Sequence, residues 1–241
     1  MKNMFLILWL LGITGFPVFG QVDASLDNWL QKADSLAGLR DFENALYMLG
    51  KAEEHTLNRF GETSDEYGEV CFHYGVVLHQ KGNYHEAEQW LLKCRDIWER
   101  TKGRENPAYA KCLYRLGLVY YHMGNNYEKA EKCYLEARAI QEIIPGRESV
   151  EYINTILESG NLFMYTGNYT KAEKDYLEAA DLYKKLTDKE DVFYGIIQRS
   201  LGFLYCKQLK FETSIPYFRS NVSIVEKEMG KKIIYRMPLV S

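Results

Sequence analysis

One spacing constrains this chain more than any other feature. Aromatic residues at Phe42, Tyr84, Tyr127, Tyr169 and Phe211 are separated by 42, 43, 42 and 42 positions. A small residue stands three positions after each of them, at Ala45, Ala87, Ala130, Ala172 and Ser214. A second small residue recurs ahead of them, at Ala33, Gly75, Gly117, Gly160 and Gly202, and tyrosines repeat at Tyr67, Tyr109, Tyr152 and Tyr194. A chain that copies itself at a fixed period folds as a stack, because one unit cannot bury its apolar face alone. The single longer gap is accounted for by the doubled Asn125–Asn126.

The unit is clearest from Tyr109 to Glu142. Leu113, Leu116, Gly117 and Tyr120 share one helical face; Ala130, Tyr134 and Ala137 share another. The turn Gly124, Asn125, Asn126 joins the two helices, and small residues at Gly117 and Ala130 let them approach. The pattern predicts an all-α α-solenoid of about five hairpins, over residues 25–59, 65–101, 106–143, 148–186 and 191–229. Asp41 and Asp65 are expected N-caps, and Pro107 suits the first turn of its helix. The fifth hairpin has Leu209–Lys210 in place of a glycine turn. Its Pro216 predicts a kink or a late helix start, and Gly230–Lys231–Lys232 a stop, leaving 231–241 as a tail.

The order Leu113, Leu116–Gly117, Tyr120, Ala130, Tyr134, Ala137 resembles the tetratricopeptide repeat, and Trp29 supplies that pattern's tryptophan ahead of Ala33 and Leu36. Two features depart from it. The period is 42 rather than 34, and Glu99, Glu142 and Lys184 stand where the terminal proline is expected. The longer unit is similar to the repeat of kinesin light chains, in its Gly103 to Pro107 lead-in and its Ala130 to Tyr134 second helix. The same long repeat occurs in bacterial arrays that precede a caspase-like (CHAT) protease domain. The resemblance spans about residues 25–229 and implies a right-handed superhelix whose first helices line a concave groove.

On that implication the groove residues are His73, His79, Tyr114, Arg115, Leu118, Tyr121, His122, Glu158, Asn161, Tyr165, Arg199 and Phe203. Met164 and Lys207 fall on the same wall. Aromatic rings give rigid contact area, and arginine forks onto carboxylates, so the set suits a protein or peptide partner. Kinesin light chains carry Leu-Asn-Asn-Leu in their groove, whereas this chain reads Leu113–Tyr114–Arg115–Leu116. The function implied is non-catalytic interaction. Alternatives are an assembly role, with self-association through an uncapped C-terminal end, or a regulatory array severed from a longer protease.

Composition narrows the rest. A net charge of −3 carries no basic footprint for nucleic acid. Lys2 followed by the apolar run Met4–Leu11 and the ending Val18–Phe19–Gly20 has the layout of a secretory signal, too short for a comfortable membrane span. Cleavage after Gly20 predicts an exported protein, periplasmic or secreted, that begins at Gln21 and stays off the membrane. No nucleophile elbow, phosphate loop or zinc-protease motif occurs, so no catalytic residue, metal or cofactor is expected. The five cysteines lack zinc spacing and read mainly as small buried hydrophobes, with Cys71–Cys94 or Cys94–Cys112 as the conceivable disulfides.

Overall fold

The structure is a computed structural model that describes residues 23–187 and 189–236. The signal reading of Met1–Gly20 and the last five residues of the expected tail lie outside that range. Among the described residues there are ten α-helices and no strand. They are α1 (Ala24–Gly38), α2 (Phe42–Arg59), α3 (Asp65–Lys81), α4 (Tyr84–Thr101), α5 (Pro107–Met123), α6 (Tyr127–Gln141), α7 (Val150–Tyr165), α8 (Tyr169–Thr187), α9 (Val192–Lys207) and α10 (Phe211–Arg236). None is long and apolar enough to cross a membrane.

Each odd-numbered helix packs on the even-numbered helix that follows, and each hairpin packs on the next. Successive first helices also touch one another, α1 with α3 through to α7 with α9, whereas successive second helices do not pack in this way. The first helices therefore form the tighter, inner rail of the solenoid. The recurrent small residue explains the closeness within a hairpin. A Cβ on Gly117, Gly160 or Gly202 would lie within 3.0 Å of the Tyr134, Tyr176 or Phe218 ring of the facing helix.

The five hairpin turns share one backbone device. Arg40, Gly82, Gly124, Gly167 and Leu209 all take a left-handed φ just after the first helix. In four of them the next residue's N–H then reaches back to the helix, as in Asn83 N to Leu78 O at 2.9 Å and Lys210 N to Tyr205 O at 2.8 Å. Asn125 is the extra residue at the third turn, where only Gly124 N to Tyr121 O, 3.2 Å, is made.

Three local expectations change. Ser64, not Asp65, caps α3, its hydroxyl accepting from Tyr67 N at 3.1 Å while Asp65 becomes the first helical residue. The last helix does not start late: α10 begins at Phe211 and carries Pro216 inside it, short of one backbone donor. Nor does it stop at Gly230, which lacks the positive φ of a stop signal; the helix runs on to Arg236. All five cysteines are free thiols, with Cys71, Cys94 and Cys112 buried.

Beside a small group of Tyr109, Leu113 and Ala137, the buried apolar side chains form one main cluster between Leu26 and Tyr134, with Leu162, and a second between Tyr152 and Ile224. A polar network occupies the seam between them. Arg138 on α6 donates to the Tyr152 hydroxyl (3.0 Å), to Asp175 (3.3 Å) and to Glu178 (2.9 Å).

Candidate partner-binding groove

The inner rail brings the expected residues together as separate neighbourhoods rather than one continuous wall. The first lies near the hairpin turns. His79 Nε2 and His122 Nδ1 are 3.0 Å apart, and the Tyr84 ring stacks against His122 at 5.8 Å. Tyr121 meets Tyr165 edge-on at 6.0 Å, and Tyr127 lies 5.1 Å from Tyr165, whose ring is 65% exposed. Burial first, and then the neighbouring His122 and Arg115, hold the His79 imidazole down at about 4, so it is neutral at physiological pH. Tyr84 and Tyr127 sit on second helices, which the groove assignment from first helices alone omitted. Their 42-residue recurrence at the start of each second helix was the available signal.

The second neighbourhood is a cavity of about 450 Å³. Lys111, Tyr114 and Arg115 line it from α5, Gln141 from the end of α6, Glu151 and Asn154 from α7, and Pro145 from the connection between the third and fourth hairpins. That connection leaves helical geometry at Ile144 (φ −142°, ψ 113°), so the chain swings away from the end of α6 beside the cavity. Gln141 is only 4% exposed, yet its Oε1 has no hydrogen-bond partner. The Nε of Arg115 is likewise buried and unpartnered, and no ion pair reaches its guanidinium among the described residues. Buried polar atoms without partners are rare and costly in folded proteins. Arg115 and Gln141, each carrying one of these buried atoms, line the same cavity, and the Lys111 ammonium stands 4.3 Å over the Phe72 ring. Lys111, Gln141, Glu151 and Asn154 were not foreseen, because the site forms across two hairpins and a linker.

Between these neighbourhoods lies Glu158, which accepts from Asn161 Nδ2 at 3.0 Å; Asn161 Oδ1 in turn accepts from the Tyr176 hydroxyl at 2.7 Å. Desolvation raises the Glu158 pKa above the ordinary carboxylate value. The remaining expected residues are dispersed. His73 turns back to Asp34 on α1 (2.8 Å), beside a cavity of about 360 Å³ lined by Asp23, Asp27, Asp34, Asp65, Glu66 and Glu69. Arg199 stands exposed on α9, and Phe203 packs edge-on against Phe218 of α10 at 5.2 Å. Leu118 is a correction: at 7% exposure its side chain belongs to the packed body of α5, because neighbours on both sides leave that helix only a narrow open face.

Residues 69–143 match the tetratricopeptide-repeat family profile. No curated protein matches the chain in sequence. Among solved structures, BtubC (BKLC) of P. vanneervenii superposes with a TM-score of 0.71 at 16% identity, over 86% of this chain and 91% of that one. The nearly identical TPR-like repeats of a Podosopora anserina kinesin light chain give 0.71 at 14% identity, over 86% and 99%. The apo form of RapI gives 0.71 at 16% identity, over 86% and 73%. At these identities the likeness is one of fold. The repeat profile thus matches the centre of the chain, and the same hairpin, recurring from α1 to α10, folds like the solved solenoids built of long kinesin-light-chain-type hairpins.

Proposed function

We propose that this protein is a non-catalytic interaction module that takes a segment of a protein partner along its inner rail and anchors an acidic side chain of that segment in the cavity at Lys111 and Arg115. One observation carries the reading: Arg115 and Gln141 line the same cavity of about 450 Å³, and each holds a buried polar atom, Nε and Oε1, without a partner. A carboxylate satisfies the guanidinium and ammonium, and an adjacent backbone N–H of the same segment satisfies Gln141. The exposed Tyr165 ring, with Tyr121 and Tyr127, offers an adjacent aromatic platform. The acidic cavity at the first two hairpins favours a basic residue elsewhere on the same partner.

The test is a peptide library with one fixed Asp or Glu, measured by fluorescence anisotropy against the wild type and Arg115→Glu. Binding of acid-bearing peptides that falls at least about tenfold in the variant supports the reading. Equal binding by both proteins, or no preference for the acid, overturns it. We also take Met1–Gly20 as an export signal, so that the partner is met outside the cytoplasm. N-terminal sequencing of the protein recovered from its native host should begin at Gln21, and an intact Met1 would refute that part.

A further inference from the structure

The two ends of the solenoid are unlike. Each second helix receives the next hairpin at two recurring positions. One holds Leu46, Glu88, Glu131, Glu173 and Ile215; the other holds Glu53, Arg95, Arg138, Ala180 and Val222. Where a hairpin follows, several of the polar ones reach across to it. Glu53 accepts from the Tyr67 and Tyr74 hydroxyls (3.1 and 3.0 Å), Glu173 from the Tyr205 hydroxyl (2.7 Å), and Arg138 donates to Tyr152. On α10 the same positions are apolar and open: Ile215 is 45% exposed and Val222 52%. Met229, seven residues further on, is 55% exposed. Ile215, Val222 and Met229 recur every seven residues along the open face of α10, the spacing of one position of a two-helix seam, while Phe218, its ring against Gly202 and Phe203, and half-buried Val225 border that face. The opposite face of α10 is already used, by buried Ser214 and Ile224 and by Asn221 donating to Gly195 O at 2.8 Å.

The head of the solenoid does not match this surface. Where α3 presents Tyr67, Val70, Tyr74 and Val77 to the preceding hairpin, α1 has exposed Ser25, Asn28, Lys32 and Ser35. A head-to-tail stack would press apolar α10 onto a polar face. A second α10 does match. Arg219 and Glu226 flank the stripe, and neither makes an ion pair among the described residues. Set antiparallel about a two-fold axis near Val222–Ser223, Arg219 of each copy lies opposite Glu226 of the other. The apolar stripe then closes on itself, as an isologous interface requires.

We propose that two copies of this chain associate through antiparallel packing of their α10 helices, with Val222 near the axis and two Arg219–Glu226 pairs at the flanks. The interface leaves both inner rails open, and it stands independently of what they bind.

Sedimentation velocity of the full chain across micromolar concentrations tests this, with each variant first shown by circular dichroism to be folded. The wild type should be a dimer. Arg219→Glu should weaken it about tenfold or more, since each pair becomes two facing acids. Adding Glu226→Arg to that variant should restore the dimer, and Val222→Asp should give a monomer. A monomeric wild type overturns the proposal. So does a dimer indifferent to Arg219→Glu, or a charge-reversed double variant that stays weak. The last result separates α10 pairing from association elsewhere on the chain.

Discussion

The ring of Tyr134 on α6 lies directly against the backbone of Gly117 on α5. A Cβ built on Gly117 would come within 2.5 Å of Tyr134 Cε1. Tyr134 is 1% exposed, so its ring has nowhere to move. Gly117→Ala therefore sets about 1–3 kcal/mol of overpacking against about 1 kcal/mol of gained helix propensity. The net expectation is a loss of up to about 2 kcal/mol. Gly50 is the control: it lies within α2, and a Cβ there meets only the Tyr74 hydroxyl, at 3.9 Å. Gly50→Ala should stabilise by up to about 1 kcal/mol. Urea unfolding of both variants checks the opposite signs.

Leu209 takes a left-handed φ of 60° at the fifth hairpin turn while 75% exposed. The backbone strain of a non-glycine residue there is about 1–2 kcal/mol, partly offset by the greater unfolded-state freedom of glycine. Little burial is lost with the side chain. Leu209→Gly should raise stability by about 0.5–1 kcal/mol, read as an upward shift in Tm.

Arg138 ties the third hairpin to the fourth where the apolar core divides. Its side chain is 25% exposed, and its partner Asp175 6%. Arg138→Ala leaves Asp175 without its cation, Glu178 with Arg147 alone, and the Tyr152 hydroxyl without a donor. The expected cost is about 2–3 kcal/mol, below the fully buried range because water reaches the arginine. Hydrogen exchange should show faster opening of α7 and α8 in the variant.

The pH dependence of folding should carry the mark of His79. The unfolded imidazole takes a proton near 6.5, whereas the folded one resists until about 4, chiefly because it is desolvated. Its contribution is complete above pH 6.5 and is lost as pH falls toward 4. Glu158 has the opposite sign, since its raised pKa favours the fold as acid is added. In His79→Gln the fall in stability between pH 6.5 and 4 should be shallower than in the wild type, by at most about 1.4 kcal/mol per pH unit. Equal slopes from urea titrations at each pH would refute the assignment.

The architecture was legible because it is written locally and repeatedly. Gly75, Gly117, Gly160 and Gly202, the turn aromatics and the small residues three positions after them state helix length, turn and close approach in every copy. The expectation failed where the pattern offered two equivalent choices within a turn, as with Ser64 against Asp65. It also failed at Gly230, since nothing near that glycine forces the positive φ that would end the helix.

The groove was legible only in part. Tyr114, Arg115, Tyr121, His122 and Tyr165 could be assigned to the first helices by period, and to a groove only through the resemblance to a known repeat family. Their grouping could not, because it depends on distances between residues about 40 positions apart. The sequence by itself determined the stacked hairpins, since helical periodicity and backbone sterics act within one repeat. Only the tertiary structure decided that His73 turns to Asp34, that Leu118 is buried, and that Gln141 joins Arg115 in an unsatisfied cavity. It also decided that the uncovered face of α10 is apolar while that of α1 is polar. Those outcomes rest on which neighbouring hairpin desolvates or pairs each side chain, and no single repeat contains that information.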